Sequence, residues 1–197
     1  METLYEVMEG QTLSLQIAEG VRARMITLQL PPITIVGATT EPQLLPPALV
    51  SRFPLEETVE LYSEEELAQI VTLAATRFDK TISEEGARII ARASRGTPRI
   101  AKALLARARD VARACHLTEA DARATLEAAS LDARGLGPNH RRALDYLRGR
   151  ALGSARLAGL LGLTPKAFRT LLEPDLLRMR LVVPTAQGLV AGKCCNT

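Results

Sequence analysis

Apolar and polar residues alternate along TLSLQI, residues 12–17, and again along ITLQL, residues 26–30. A period of two predicts strands, and the intervening AEGVRARM carries a Gly turn, so the pair reads as a hairpin. Its apolar face holds Leu13, Leu15, Ile17, Ile26 and Leu28. The next stretch, ITIVGATT at 33–40, opens on a short β-branched run bounded by Pro-Pro and Gly37. That pattern predicts a buried strand of a parallel sheet. Thr39 and Thr40 then fall at its carboxyl end, where α/β sheets keep ligand sites, although adjacent hydroxyls equally serve a turn backbone.

From about residue 60 the period changes to that of helices. Ser63 with Glu66 makes a capping box before LAQIVTLAATRF, and Thr118 with Asp121 makes another before ARATLEAAS. Ser83 opens EEGARIIARAS, and Thr97-Pro98 opens a helix within RGTPRIAKALLARARD, residues 95–110. These four helices predict a small bundle over 60–132. Arg99 stands in the first turn of its helix, where the macrodipole disfavours a cation. Such an arginine either points into water or meets an anion such as a phosphate. DARGLGPN, 132–139, is rich in Gly and Pro and reads as a linker. Beyond it come HRRALDYLRGR as a short helix, a helix capped by Ser154 and stopped at Gly162, and a helix running from Thr164 to Arg178. LVV and LVA around PTAQG then form a hairpin. Helix, helix-turn-helix and hairpin is the pattern of a winged helix, a fold used for DNA and also for protein contact.

Composition, rich in Leu, Ala, Arg and Glu with aromatics at 3% of 197 residues, supports a mainly α fold, to which the strand patterns at 12–40 add a partial α/β N-terminal part. Cys115, Cys194 and Cys195 form no CxxC pair, and His116 and His140 lie apart, so no metal site is expected and a reducing cytoplasm fits. No signal peptide and no membrane span is expected. Charge is unevenly spread. Residues 134–197 hold 11 Lys and Arg against Asp145, Glu173 and Asp175, a balance of +8, which leaves −5 for the rest of a chain at +3. A basic C-terminal third suggests a polyanion partner there.

The ordered stretches LYEVMEG, LPPITIVGATT, LVSRF, RASRGTPRIAKALLARARD and LEPDLL resemble the RuvB family of Holliday-junction branch-migration motors. The resemblance implies an AAA+ ATPase with three parts. Residues 1–59 correspond to the last part of the large nucleotide-binding domain, 60–132 to a helical lid, and 133–197 to a winged helix on DNA. It implies that Thr40 is sensor 1, that Arg52 is the arginine finger reaching a neighbouring subunit's nucleotide, and that Arg99 is sensor 2. It also implies duplex or junction DNA contact, for which Arg156, Lys166, Arg169 and Arg180 are the candidates. Further expectations are a ring-forming homo-oligomer, a RuvA-type junction-binding partner on the 12–30 hairpin, and recombination and repair as the setting. Arginine suits phosphoryl transfer because its planar fork is always charged and grips phosphate oxygens in pairs.

ATP and Mg²⁺ serve the full-length family, yet no GxxxxGK[ST] occurs in these 197 residues, nor an acidic pair closing an apolar strand. Alone, the chain is expected to hold neither ligand tightly and to hydrolyse no ATP. It also departs from the family at Glu41, where a basic residue is usual, at Val50, where a second arginine precedes the finger, and at TAQGL, 185–189, where the wing reads TPRGR. Two readings therefore stand: a partial subunit of the motor, or a non-catalytic DNA-binding or adaptor protein with the AAA+ remnant as scaffold.

Overall fold

The computed structural model describes residues 2–17, 24–112 and 114–192. The chain divides into two compact units, 1–59 and 60–197. Among the described residues there are ten α-helices and three two-stranded sheets, a mixed α/β content dominated by helix.

The first unit opens with helix α1 (Glu2–Gly10) and the antiparallel hairpin of β1 (Thr12–Ile17) and β2 (Arg24–Gln29). The alternating pattern is borne out, with Leu13 opposite Leu28 and Leu15 opposite Ile26. The predicted turn lies largely outside the described residues. Leu15, Ile26 and Leu28 are exposed on the hairpin's apolar face. The expected parallel strand at 33–36 is not formed: the segment is irregular, and Ile33 and Val36 are exposed. A parallel strand exists only through its neighbours, and β1 and β2 pair with each other alone. A 3₁₀ turn (Pro42–Leu44) and the short helix α2 (Pro47–Val50) follow.

The second unit begins with four helices around one core. They are α3 (Glu64–Thr76), α4 (Glu84–Ala93), α5 (Pro98–Val111) and α6 (Glu119–Ala128), with β3 (Thr81–Ile82) parallel to β4 (His116–Leu117). Leu67, Val71, Ile90, Leu105 and Leu117 are the large buried members. Alanines at 75, 87, 91, 101, 108 and 122 let the helices approach closely. Both predicted capping boxes form. At Thr118 the backbone N–H and hydroxyl donate to the Asp121 carboxylate at 2.8 and 2.7 Å. These bonds hold that carboxyl below its ordinary range. Ser83 accepts from the Gly86 N–H at 3.2 Å, as a cap should. Thr97 takes the N-cap position of α5, but its side chain makes no capping bond.

The stretch 132–139 is no loose linker. Asp132 Oδ1 accepts the N–H groups of Arg134 and Leu136 at 2.9 and 2.8 Å, and Leu136 is buried. Gly135 has φ +75°, and a Cβ there would sit 1.9 Å from the Ala93 carbonyl oxygen. Glycine content marked the turn correctly; it could not show that the turn is packed against α4.

After it come α7 (Pro138–Leu147), α8 (Ser154–Leu160), α9 (Pro165–Leu171), α10 (Glu173–Arg178) and the hairpin of β5 (Val182–Thr185) and β6 (Gly188–Ala191). Leu152 bridges to Leu189 through two backbone bonds of 2.9 and 2.8 Å, tying the α7–α8 connection to the hairpin. Phe168, Leu157, Leu176 and Leu181 fill this second core. The expected Thr164–Arg178 helix is two helices that break at Leu172, because Pro174 cannot donate to the ladder. Ser154 is not the cap of α8. Gly153 occupies that position, and the Ser154 hydroxyl bonds Glu173 Oε1 at 2.8 Å. Gly162, at φ +72°, ends that helix as expected. No described helix is long and apolar enough to cross a membrane.

Candidate functional site

Arg52 follows the short helix α2, in the turn that ends it. Its Nε donates to Glu9 Oε1 at 2.9 Å, Nη2 reaches the same oxygen, and Nη1 reaches the Ala48 carbonyl. Its guanidinium also stacks 4.6 Å from the centre of the Tyr5 ring. Thus α1 supplies both an acid and an aromatic face to this arginine, and 29% of its side chain stays exposed. Glu9 and Tyr5 escaped sequence reasoning, being more than 40 positions away; an acid and an aromatic one helical turn apart in LYEVMEG are the only local sign. Gly37 lies against the Phe53 ring, so the ITIVGATT segment runs beside the SRF turn. Thr39 Oγ1 accepts the Glu41 N–H at 3.0 Å and so serves the turn. The exposed Thr40 hydroxyl makes no bond among the described residues.

Arg99 belongs to the second unit. It sits on the exposed face of the first turn of α5, with no hydrogen bond or ion pair among the described residues. A free cation at the start of a helix fits an anion. The loop before it is tightly built. Arg95 and Gly96 are successive left-handed residues, φ +52° and +79°. The Gly96 carbonyl accepts the Tyr62 N–H at 3.2 Å.

The Arg95 side chain turns away from Arg99 and into the C-terminal part of the same unit. Its Nη1 bonds Asp175 Oδ2, and Arg178 bonds the other oxygen of the same carboxylate. His140 Nε2 lies 3.3 Å from Arg95 Nη1 and 3.6 Å from Asp175 Oδ2. The Gly137 N–H points at His140 Nδ1, 3.3 Å away, and has no other partner among the described residues. A neutral imidazole has one acceptor nitrogen. Nδ1 takes that role, so the proton is assigned to Nε2, facing Asp175. Side chains of Arg95, His140 and Asp175 are only 12–14% exposed. Burial raises the Asp175 carboxyl, but the His140 ring and the two guanidiniums outweigh it and hold the carboxyl below its usual range. Arg95 Nε is buried without a partner. None of these three was singled out as a site residue. Asp175 was noticeable only as one of three acids in a segment with 11 bases.

Arg156, Lys166, Arg169 and Arg180 are all exposed and carry no ion pair among the described residues. Lys166 and Arg169 stand three apart on α9 and share its outer face, opposite the buried Phe168. The neighbouring basic residues Arg148 and Arg178 are instead paired with Asp145 and Asp175. No cluster of metal-ligating side chains occurs among the described residues.

A helical domain whose exposed arginine opens a helix after a Gly-Thr-Pro turn is an AAA-type lid, and residues 62–132 match the family model of the RuvB AAA lid domain. Residues 1–59 match the Holliday junction DNA helicase RuvB P-loop domain. The chain belongs to the RuvB family and is a partial RuvB-type subunit. It is 38% identical over 197 residues to the Holliday junction branch migration complex subunit RuvB of Treponema pallidum, covering 96% of this chain and 56% of that protein. It resembles Thermotoga maritima RuvB, described as a Holliday junction branch migration motor, with TM-score 0.76 and 30% identity, covering 98% of this chain and 62% of that one. The P216G mutant of the same protein matches with TM-score 0.77. The chain thus spans little more than half the length of its curated relative.

Proposed function

We propose that this chain serves a RuvB-type branch-migration motor as a subunit that supplies a nucleotide-facing lid, a trans-acting arginine and a DNA-binding end. The observation that carries the reading is Arg99: exposed, unpaired, and at the start of α5 in the segment that matches a RuvB lid. Residues 1–59, 60–132 and 133–197 are its remnant of the large ATPase domain, its lid and a winged helix. Helices α7, α8 and α9, the Leu152 bridge and the β5–β6 hairpin support the last assignment.

Arg99 then contacts nucleotide phosphates as sensor 2, Thr40 serves as sensor 1, and Arg52 acts as the finger. The residues present fit the periphery of an ATP site and not its cradle, since the 197 residues hold no GxxxxGK[ST]. ATP with Mg²⁺ would bring the phosphoryl group; this chain's own part is to place positive charge beside it. Arg52 does so only after exchanging Glu9 for phosphate, a competition open to an exposed pair. Arg156, Lys166, Arg169 and Arg180 hold duplex or junction DNA by its phosphates. The exposed Leu15, Ile26 and Leu28 fit an apolar partner of the RuvA type, in a cytoplasmic, ring-forming assembly.

The test mixes the chain with a RuvB subunit that carries a P-loop and follows ATP hydrolysis. Arg52→Ala in this chain is expected to remove its contribution, a loss on the order of 10³-fold at the shared sites. Unchanged hydrolysis excludes the finger. The pairing of Arg52 with Glu9 favours a second reading, a DNA-binding adaptor with no role at the nucleotide. It predicts duplex binding indifferent to nucleotide.

A further inference from the structure

Nothing in a helical lid requires an arginine at Arg95. The position is left-handed, φ +52°, where residues with a side chain are strained and glycine or asparagine is easier. Among the described residues its side chain bonds nothing on α4 or α5, the helices that flank its turn. It crosses to α10, where Asp175 receives it beside the His140 ring of α7 in a site almost closed to solvent. Two further contacts seal the same joint: Arg141 Nη2 donates to the Ser130 carbonyl at 3.0 Å, and Gly135 presses on the Ala93 carbonyl. Four residues after Arg95, the same turn becomes α5 and presents Arg99. Thr97 gives that helix start no side-chain cap, so its first turn depends on what holds the loop before it.

We propose that Asp175, packed beside the His140 ring, holds Arg95 and thereby fixes the start of α5, so that the C-terminal part and Arg99 move as one piece. Asp175 and His140 are positioning residues that act on Arg99 through Arg95. The proposal deepens the phosphate-binding reading of Arg99 and rests on it for its consequence. A cation four residues from a rigid anchor keeps its aim; one on a frayed first turn does not. The carboxylate is the element that matters, because it alone receives Arg95 and Arg178 together. By linkage, whatever displaces the C-terminal part changes the affinity of Arg99 for an anion, and an anion at Arg99 acts back equally.

Amide hydrogen exchange on the whole chain tests this. The Ile100 and Ala101 N–H groups bond the Thr97 carbonyl, each at 3.1 Å, and report on the first turn of α5. Asp175→Asn is expected to speed exchange at these amides roughly tenfold more than at the core amides of Val71 and Leu126, which follow only the overall loss of stability. A uniform acceleration, or none, overturns the proposal. Should Asp175→Asn fail to fold, Arg95→Lys keeps the charge, loses the fork and is read in the same way. Pyrophosphate titration separates the two layers. Binding weakened by both Arg99→Ala and Asp175→Asn supports both. No binding to the wild-type chain removes the phosphate role of Arg99, while the exchange result still decides the latch.

Discussion

Asp175 shows how much one buried side chain can carry. Its carboxyl is held below the ordinary range, so its ionised form favours the folded chain at pH above about 3.9. That contribution is lost as pH falls through the lower native value. Asp175→Asn is expected to cost about 3 kcal/mol near neutrality, because it strands a half-satisfied arginine. Urea midpoints should show the gap between wild type and variant narrowing below about pH 4; a gap constant with pH means that the charge is not what matters. Arg99 and Arg52 stand out in the sequence as candidates because each sits inside a short ordered motif. Asp175 and His140 do not. They lie 80 and 45 positions from Arg95, and no local period joins residues that meet only after two cores have formed.

At the scale of elements, local chemistry was read well and long-range pairing was not. The boxes at Ser63/Glu66 and Thr118/Asp121 form because every partner lies within three residues. The hairpin forms because its strands are close in sequence and alternate cleanly. The ITIVGATT strand could not be judged alone, since its fate depends on a sheet and β-branched character expresses only a fit to one. Gly135 makes a sharper case. Gly135→Ala places a methyl against the Ala93 carbonyl at a positive φ, and a loss of about 2 kcal/mol or more is expected in thermal or urea unfolding. In the first core of the second unit, Leu105→Ala removes a fully buried side chain and should cost about 2–5 kcal/mol. A Leu105 variant as stable as wild type would show that this core collapses to fill the space.

For the molecule as a whole, charge separates two kinds of surface. The basic end keeps Arg156, Lys166, Arg169 and Arg180 free of ion pairs among the described residues, while several lid arginines are paired within the lid, Arg88 with Glu84, Arg92 with Glu64 and Arg123 with Glu119. If α9 faces DNA, Arg169→Ala should lower the slope of log affinity against log salt by about 0.9 and weaken duplexes of every sequence alike. A loss confined to some sequences would instead mean that α9 reads bases. The unequal charge halves were plain from the sequence; which cations remain free was not, because pairing depends on neighbours across helices.

The packed turn at 132–139 bears on inheritance and engineering. Families built from separable modules exchange them by recombination at loose junctions, where a crossover harms neither side. Here the junction between lid and C-terminal part is filled by the Asp132 bonds, the Gly135 contact and the Arg95–Asp175 pair. A chimera joined at residue 133 would inherit half of each. It would have to bring its own acid to meet Arg95, so the two pieces are expected to travel through evolution together, and partners at 95, 140 and 175 to change in step.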